Sequence, residues 1–242
     1  MPTTRATELP TPILRWGAGL LKLDLLRTSG ATAGRAADAW DFGGAPEAVI
    51  AASGNAAIAA AGRARASGVR LVVAPQGVFT HEMRETLQLW GARLDPSARP
   101  TVPALDSDQA VPLYARTLGA ELLAQLAVAP PLLVCAGGER AALLGALEAL
   151  RSRWSFVRGV ALIAADSALP DLPLEADLPP GIERVAVTRA QAAQARTRVA
   201  RELGLLASHA SAAAAVYAHE QGGVALITAP GEREFSLEER GQ

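Results

Sequence analysis

Lys22-Leu-Asp24-Leu-Leu-Arg-Thr28-Ser29-Gly30-Ala31-Thr32-Ala33-Gly34-Arg35 contains the one lysine in a chain of 242 residues. The distinction matters chemically. A lysine amine condenses with carbonyl compounds once it loses its proton, whereas a guanidinium stays protonated and does not. The chain carries 22 arginines beside this single lysine, which together with the abundant alanine fits a G/C-rich coding bias that exchanges surface lysines for arginine.

Outward from this stretch, bulk properties narrow the function classes. Half of the residues are hydrophobic, enough for a substantial core in one or two compact domains. The formal charge of −1, from 23 basic and 24 acidic residues, leaves no electrostatic footprint for nucleic acid or an anionic membrane. Cys135 is the only cysteine, so no intramolecular disulfide forms. The opening Met1-Pro-Thr-Thr-Arg5 lacks the pattern of a secretory signal, and a cytoplasmic location is expected. Apolar runs are too short or too interrupted to span a bilayer.

Short β-rich runs at 69–74, 132–135, 159–164, 184–187 and 223–228 are nearly all apolar, as expected of parallel strands covered on both faces. Alanine- and leucine-rich segments at 54–66, 139–151, 189–203 and 211–221 carry arginine or glutamate at helical spacing. The alternation predicts an α/β architecture with mostly parallel sheets flanked by helices. The Pro- and Asp-rich stretches 95–108 and 169–180 read as loops.

The Lys22–Arg35 stretch resembles the K-x-E-x-x-N-P-T-G-S-F-K-D-R segment of fold-type II pyridoxal-phosphate (PLP) enzymes, the family of tryptophan synthase β, cysteine synthase and threonine synthase. Other pieces follow in the same order. Thr11-Pro12-Ile13 is similar to its T-P-L, and Ser53-Gly54-Asn55 to its S-G-N loop. Gly68 to Pro75, His81 to Arg84 and Leu89 to Leu94 resemble its G-x-x-x-x-I-V-M-P and following segments. Arg116 to Leu122 is similar to its T-x-x-x-E-I, Gly137-Gly138-Glu139-Arg140 to its glycine-rich phosphate turn, and Ser208 to Ala213 to its S-S-G-A-A. Ile227 to Gly231 stands where the family closes its site. The resemblance implies a two-domain fold, with a truncated small domain over residues 26–116 and a large domain made of 1–25 plus 117–242. The truncation falls at 94–111 and at 165–183.

The same resemblance places Ala33 where the family keeps the lysine that holds the cofactor aldehyde, so no catalytic residue is assigned and no cofactor is expected to be covalently bound. Vestigial cofactor contacts fall on Ser53, Gly54, Asn55, Gly137, Gly138, Glu139, Arg140 and Ser211, sufficient for weak noncovalent PLP or phosphate at most. A carboxylate at Glu139 repels a phosphate in that turn unless Arg140 points inward to offset it. Three roles stay open. One is a pseudoenzyme that binds a small anionic or amino-acid ligand or supports a partner subunit. Another is an atypical PLP-dependent lyase or synthase acting on serine- or threonine-like amino acids with Lys22 as anchor. The last is a non-catalytic subunit in a homodimer or beside a homologue. Plainer readings stand next to these: Ser53 as a helix N-cap, Cys135 as inert core, and His81, His209 and His219 without metal-ligand spacing.

Overall fold

Parallel strands buried on both faces need two covered sides, and the apolar runs of this chain obtain them in two sheets. The computed structural model describes residues 10–26, 33–38, 42, 44–77, 79–104, 107–167, 169 and 172–231. The chain starts with a hairpin of β1 (Ile13–Trp16) and β2 (Gly19–Lys22), followed by a short 3-10 turn at Asp24–Leu26 and α1 (Gly34–Asp38). Then come β3 (Glu47–Ala52), α2 (Gly54–Ala66), β4 (Arg70–Pro75), α3 (His81–Leu89) and β5 (Arg93–Leu94). A continuous helical rod follows: α4 (Val111–Tyr114), a π-helical turn at Ala115–Gly119, and α5 (Ala120–Gln125). The remainder is β6 (Leu132–Ala136), α6 (Arg140–Arg153), β7 (Arg158–Ala164), β8 (Ile182–Val187), α7 (Arg189–Leu203), α8 (His209–Gln221) and β9 (Val224–Leu226).

The larger sheet has the order β1-β2-β9-β6-β7-β8, and the smaller one the order β3-β4-β5. Among the named strands of the described residues, only the β1–β2 pair is antiparallel. Alternation of side chains sorts β6 cleanly. Leu133 and Cys135 face the core built from α6, the 111–125 rod and the small sheet, while Leu132, Val134 and Ala136 face α7 and α8. The α/β fold with mostly parallel sheets and flanking helices is as expected. Helices α2 and α7 match their sequence-read limits residue for residue, and the small sheet lies inside 26–116.

Several elements depart from the sequence reading. Strands β1 to β3, helix α3 and the 111–125 rod were not among the runs picked out above, and α8 begins at His209, before Ser211, because Ser208 takes the N-cap and accepts from the Ser211 amide at 3.1 Å. The described residues of 95–107 form no helix or strand, in line with the expected loop. The rod approaches α6 through glycines. A Cβ on Gly145 would lie 2.4 Å from the Val111 carbonyl oxygen, and one on Gly119 would lie 2.3 Å from the Ala149 Cβ. Two helix backbones can come this close only where side chains are missing.

Candidate functional site

The expected site residues are dispersed over four helix starts, and each must be placed before its chemistry is judged. Ala33 precedes α1, is only 2% exposed, and gives its carbonyl to the Ala37 amide at 3.0 Å. A methyl group there offers neither amine nor hydrogen bond. The family motif's Thr28 to Thr32 lie outside the described residues, as does the opening Met1–Arg5. Ser53 does occupy the N-cap of α2 with extended backbone, yet its hydroxyl makes no capping hydrogen bond, so the plain N-cap reading holds for the position and not for the side chain. Gly54 and Asn55 open the helix, both buried.

Gly137–Glu139 forms a single 3-10 turn between β6 and α6. Glu139 is buried at 8% exposure, and Arg140 forms an ion pair with Asp108. The Arg140 guanidinium is engaged by Asp108, and its Nε is buried without a hydrogen-bond partner. Gly137 sits under neighbouring chain. A Cβ there would meet the Leu162 carbonyl oxygen at 2.8 Å, Ile163 Cγ2 at 3.2 Å and Ala176 Cβ at 3.4 Å.

Ser211 is fully buried in the first turn of α8. Its Oγ accepts from the amides of Thr228 at 3.0 Å and Ala229 at 3.2 Å, and it lies 3.2 Å from Thr228 Oγ1. Two amides use up the acceptor capacity of a hydroxyl. The hydroxyl proton is then left to donate to Thr228, so Ser211 pins the chain after β9 onto α8 with its donor and both acceptor positions engaged there.

The stretch that opened the sequence reading contributes a buried charge cluster. Lys22 on β2 is 0% exposed, and its Nζ bonds to Glu121, to Gln125 Oε1 at 2.6 Å and to the Thr11 carbonyl. Arg35 on α1 grips Asp24 through two bonds, of 2.7 Å to Oδ2 and 2.6 Å to Oδ1, and reaches Glu121 Oε2 at 2.7 Å. Thr11 Oγ1 donates to Asp24 at 2.7 Å. Burial pushes the Lys22 amine below its ordinary pKa, with Glu121 opposing that shift. Burial would raise the Glu121 carboxyl, but the hydrogen bonds from Arg35 and Lys22 outweigh it and hold the carboxyl at about 2. Bonding to Asp24 and Glu121 raises Arg35 against the effect of burial. The K-x-D…R spacing carries three members of this cluster. Its fourth charge comes from α5, where Glu121 and Gln125 stand four residues apart and so share one helix face; that spacing was the available signal.

Cys135 is buried in β6. His81 pairs with Glu85 at 3.1 Å on the surface, and His219 stacks on Trp16 with ring centroids 4.4 Å apart. No group of three or more metal-ligating side chains occurs among the described residues. A cavity of about 370 Å³ lies between β8, α7 and α8, lined by Val187, Gln194, Arg198, Tyr217 and Glu220, and none of the expected site residues borders it. No helix of the described residues is long and apolar enough to cross a membrane.

No protein-family model and no curated protein sequence matches the chain. Solved structures do. The chain is similar to the O-acetylserine-dependent cystathionine β-synthase of Helicobacter pylori, with 17% identity, a TM-score of 0.78, and coverage of 93% of this chain and 94% of that one. It is similar to O-ureido-L-serine synthase, with 22% identity, a TM-score of 0.77, and coverage of 94% and 91%. A lysine-to-alanine variant of that synthase with O-ureido-L-serine bound matches at 23% identity and a TM-score of 0.77, covering 93% and 89%. At these identities the likeness is one of fold, and the chain has the fold-type II architecture found in PLP-dependent synthases.

Proposed function

We propose that this fold-type II chain is a catalytically silent protein that binds a small anionic or amino-acid ligand, or supports a partner subunit, as a homodimer or beside a homologue. One observation carries this reading: the single side-chain amine of the chain is consumed by Glu121, Gln125 and the Thr11 carbonyl inside a closed cluster, while the position expected to hold a reactive lysine is the methyl group of Ala33. The reading in which Lys22 anchors a cofactor would require that amine to leave two hydrogen bonds and an ion pair, with Arg35 left as the one cation between Glu121 and buried Asp24. Removing a partner from such a group costs about 3–5 kcal/mol.

The residues at the glycine turn do not fit a resident PLP either. Glu139 places a carboxyl group in the turn, Arg140 is committed to Asp108, and Gly137 is covered by Ala176. Bound PLP supplies an electron sink for amino-acid chemistry, and no residue of this chain is assigned a step of that kind. What the chain retains at α2 is a helix start with Ser53 and Asn55, suited to a carboxylate through backbone amides and the positive helix end. The structure of O-ureido-L-serine synthase lacking one lysine, with O-ureido-L-serine bound, supports the idea that such a scaffold keeps amino-acid binding after a lysine is lost.

The test is direct. The purified chain is incubated with PLP, reduced with borohydride and digested, and the peptides are weighed by mass spectrometry. The expected result is no pyridoxyl mass on the Lys22 peptide. A stoichiometric adduct there, with turnover of serine abolished by Lys22→Arg, would overturn the reading.

A further inference from the structure

Strands β7 and β8 are parallel neighbours, so the chain between them must return from the end of one to the start of the other. Such returns are usually helical. Here the described residues of 165–181 include no helix, and Leu169 and Leu172 form an isolated antiparallel bridge. The route of this connection is fixed by its leucines. Leu169 and Leu172 are buried in the core on the α7/α8 side of the large sheet, whereas Leu178 is buried in the core on the α6 side. Pro173 to Leu178 therefore crosses the sheet from one face to the other. It crosses at the carboxyl ends of β6 and β7, because the Pro173 carbonyl accepts from the amide of Ala164, the last residue of β7, at 2.7 Å, and Ala176 lies against Gly137, the first residue after β6. Arg184 of β8 tethers the far end by donating to the Leu178 carbonyl at 3.0 Å.

In open α/β sheets the crevice outside the carboxyl ends of the strands is where ligands bind. We infer that Pro173–Leu178 is a built-in strap over the Gly137–Glu139 turn, which closes the start of α6 to phosphate-bearing compounds and restricts the protein to unphosphorylated ligands. Two exposed carboxylates, Glu175 and Asp177, flank the contact residue Ala176, so the strap adds like charge to an incoming phosphate as well as bulk. This deepens the ligand-binding role proposed above and rests on it for the ligand class.

The test uses the full chain with inorganic phosphate as probe, measured by titration calorimetry, alongside hydrogen exchange at the Ala164 amide, which reports whether the strap is seated. Leu178→Ala combined with Arg184→Ala removes the apolar anchor and the tether, and Arg184→Ala alone is the milder variant should the pair fail to fold. The natural chain is expected to give no phosphate heat at millimolar concentration. The loosened chain is expected to exchange Ala164 at least tenfold faster and to acquire phosphate binding that Glu139→Gln strengthens further. Phosphate binding by the natural chain overturns the inference. So does unchanged Ala164 exchange in the variants, or faster exchange with no phosphate bound. A pyridoxyl adduct on Lys22 would defeat the silent-protein reading without touching the strap, so the two failures are distinguishable.

Discussion

Replacing Lys22 by methionine tests the buried cluster where its charges balance. Lys22 and Arg35 stand against Asp24 and Glu121, and the substitution leaves two carboxylates facing one guanidinium in a largely buried space. Removing one partner of a buried ion pair costs about 3–5 kcal/mol, since the remaining charge stays desolvated. Arg35 keeps its bonds to both carboxylates, which puts the expected loss at the lower end, about 3 kcal/mol. Acid provides a second signature. The folded-state pKa of Glu121, about 2, lies below its ordinary value of 4.5. Its stabilisation is complete above pH 4.5 and is lost as the pH falls towards 2. Without Lys22 the folded pKa of Glu121 rises, so the deficit of the variant shrinks through the same window. Urea unfolding followed by circular dichroism, at neutral pH and again in mild acid, measures both. The double substitution Lys22→Met with Glu121→Leu removes cation and anion together and is expected to regain most of the loss. A neutral-pH deficit below about 1 kcal/mol, or one that does not change with pH, would refute the buried-pair account and return Lys22 to the list of free amines.

Two further outcomes follow from the packing. Gly145→Ala puts a methyl 2.4 Å from the Val111 carbonyl oxygen and 2.7 Å from Tyr114 Cβ; the first of these is backbone and cannot rotate aside, so a loss of about 1–3 kcal/mol should appear as a fall in melting temperature of roughly 5 °C. Ser211→Ala leaves the Thr228 and Ala229 amides without their acceptor in a buried setting; about 1–3 kcal/mol is expected, with faster hydrogen exchange confined first to those two amides.

The elements that sequence made legible are those whose local signals agree. Helix α7 runs from a Thr188–Gln191 capping box to Gly204 in left-handed conformation, and both ends can be read from residue type alone. Strands β6 and β7 are short apolar runs with few alternatives. Strand β3 was hidden because Glu47–Ala52 is half alanine, and alanine favours helix, so only its pairing with β4 decides its state. The hairpin of β1 and β2 escaped because its outer strand is largely exposed and lacks an apolar stripe. At the site, residue types were legible and orientations were not. That Arg140 turns to Asp108, that Ser211 is spent on the chain after β9, and that Ala176 closes over Gly137 all depend on partners 17 to 39 positions away. No local pattern specifies such a distant pairing.

The place of β9 in the large sheet has a consequence for how the molecule is made. Leu20 of β2 pairs with Val224 of β9, and β9 in turn pairs with β6, so a strand translated late fills a central slot between two strands translated much earlier. Until residues 224–226 leave the ribosome, β2 and β6 each present an unpaired edge, and the hairpin has no lasting attachment to the remaining strands. Closing so long a loop is slow. During synthesis the nascent polypeptide therefore passes through a stage with two open edges, in which chaperone holding or mispairing with a second nascent copy competes with insertion of the missing strand.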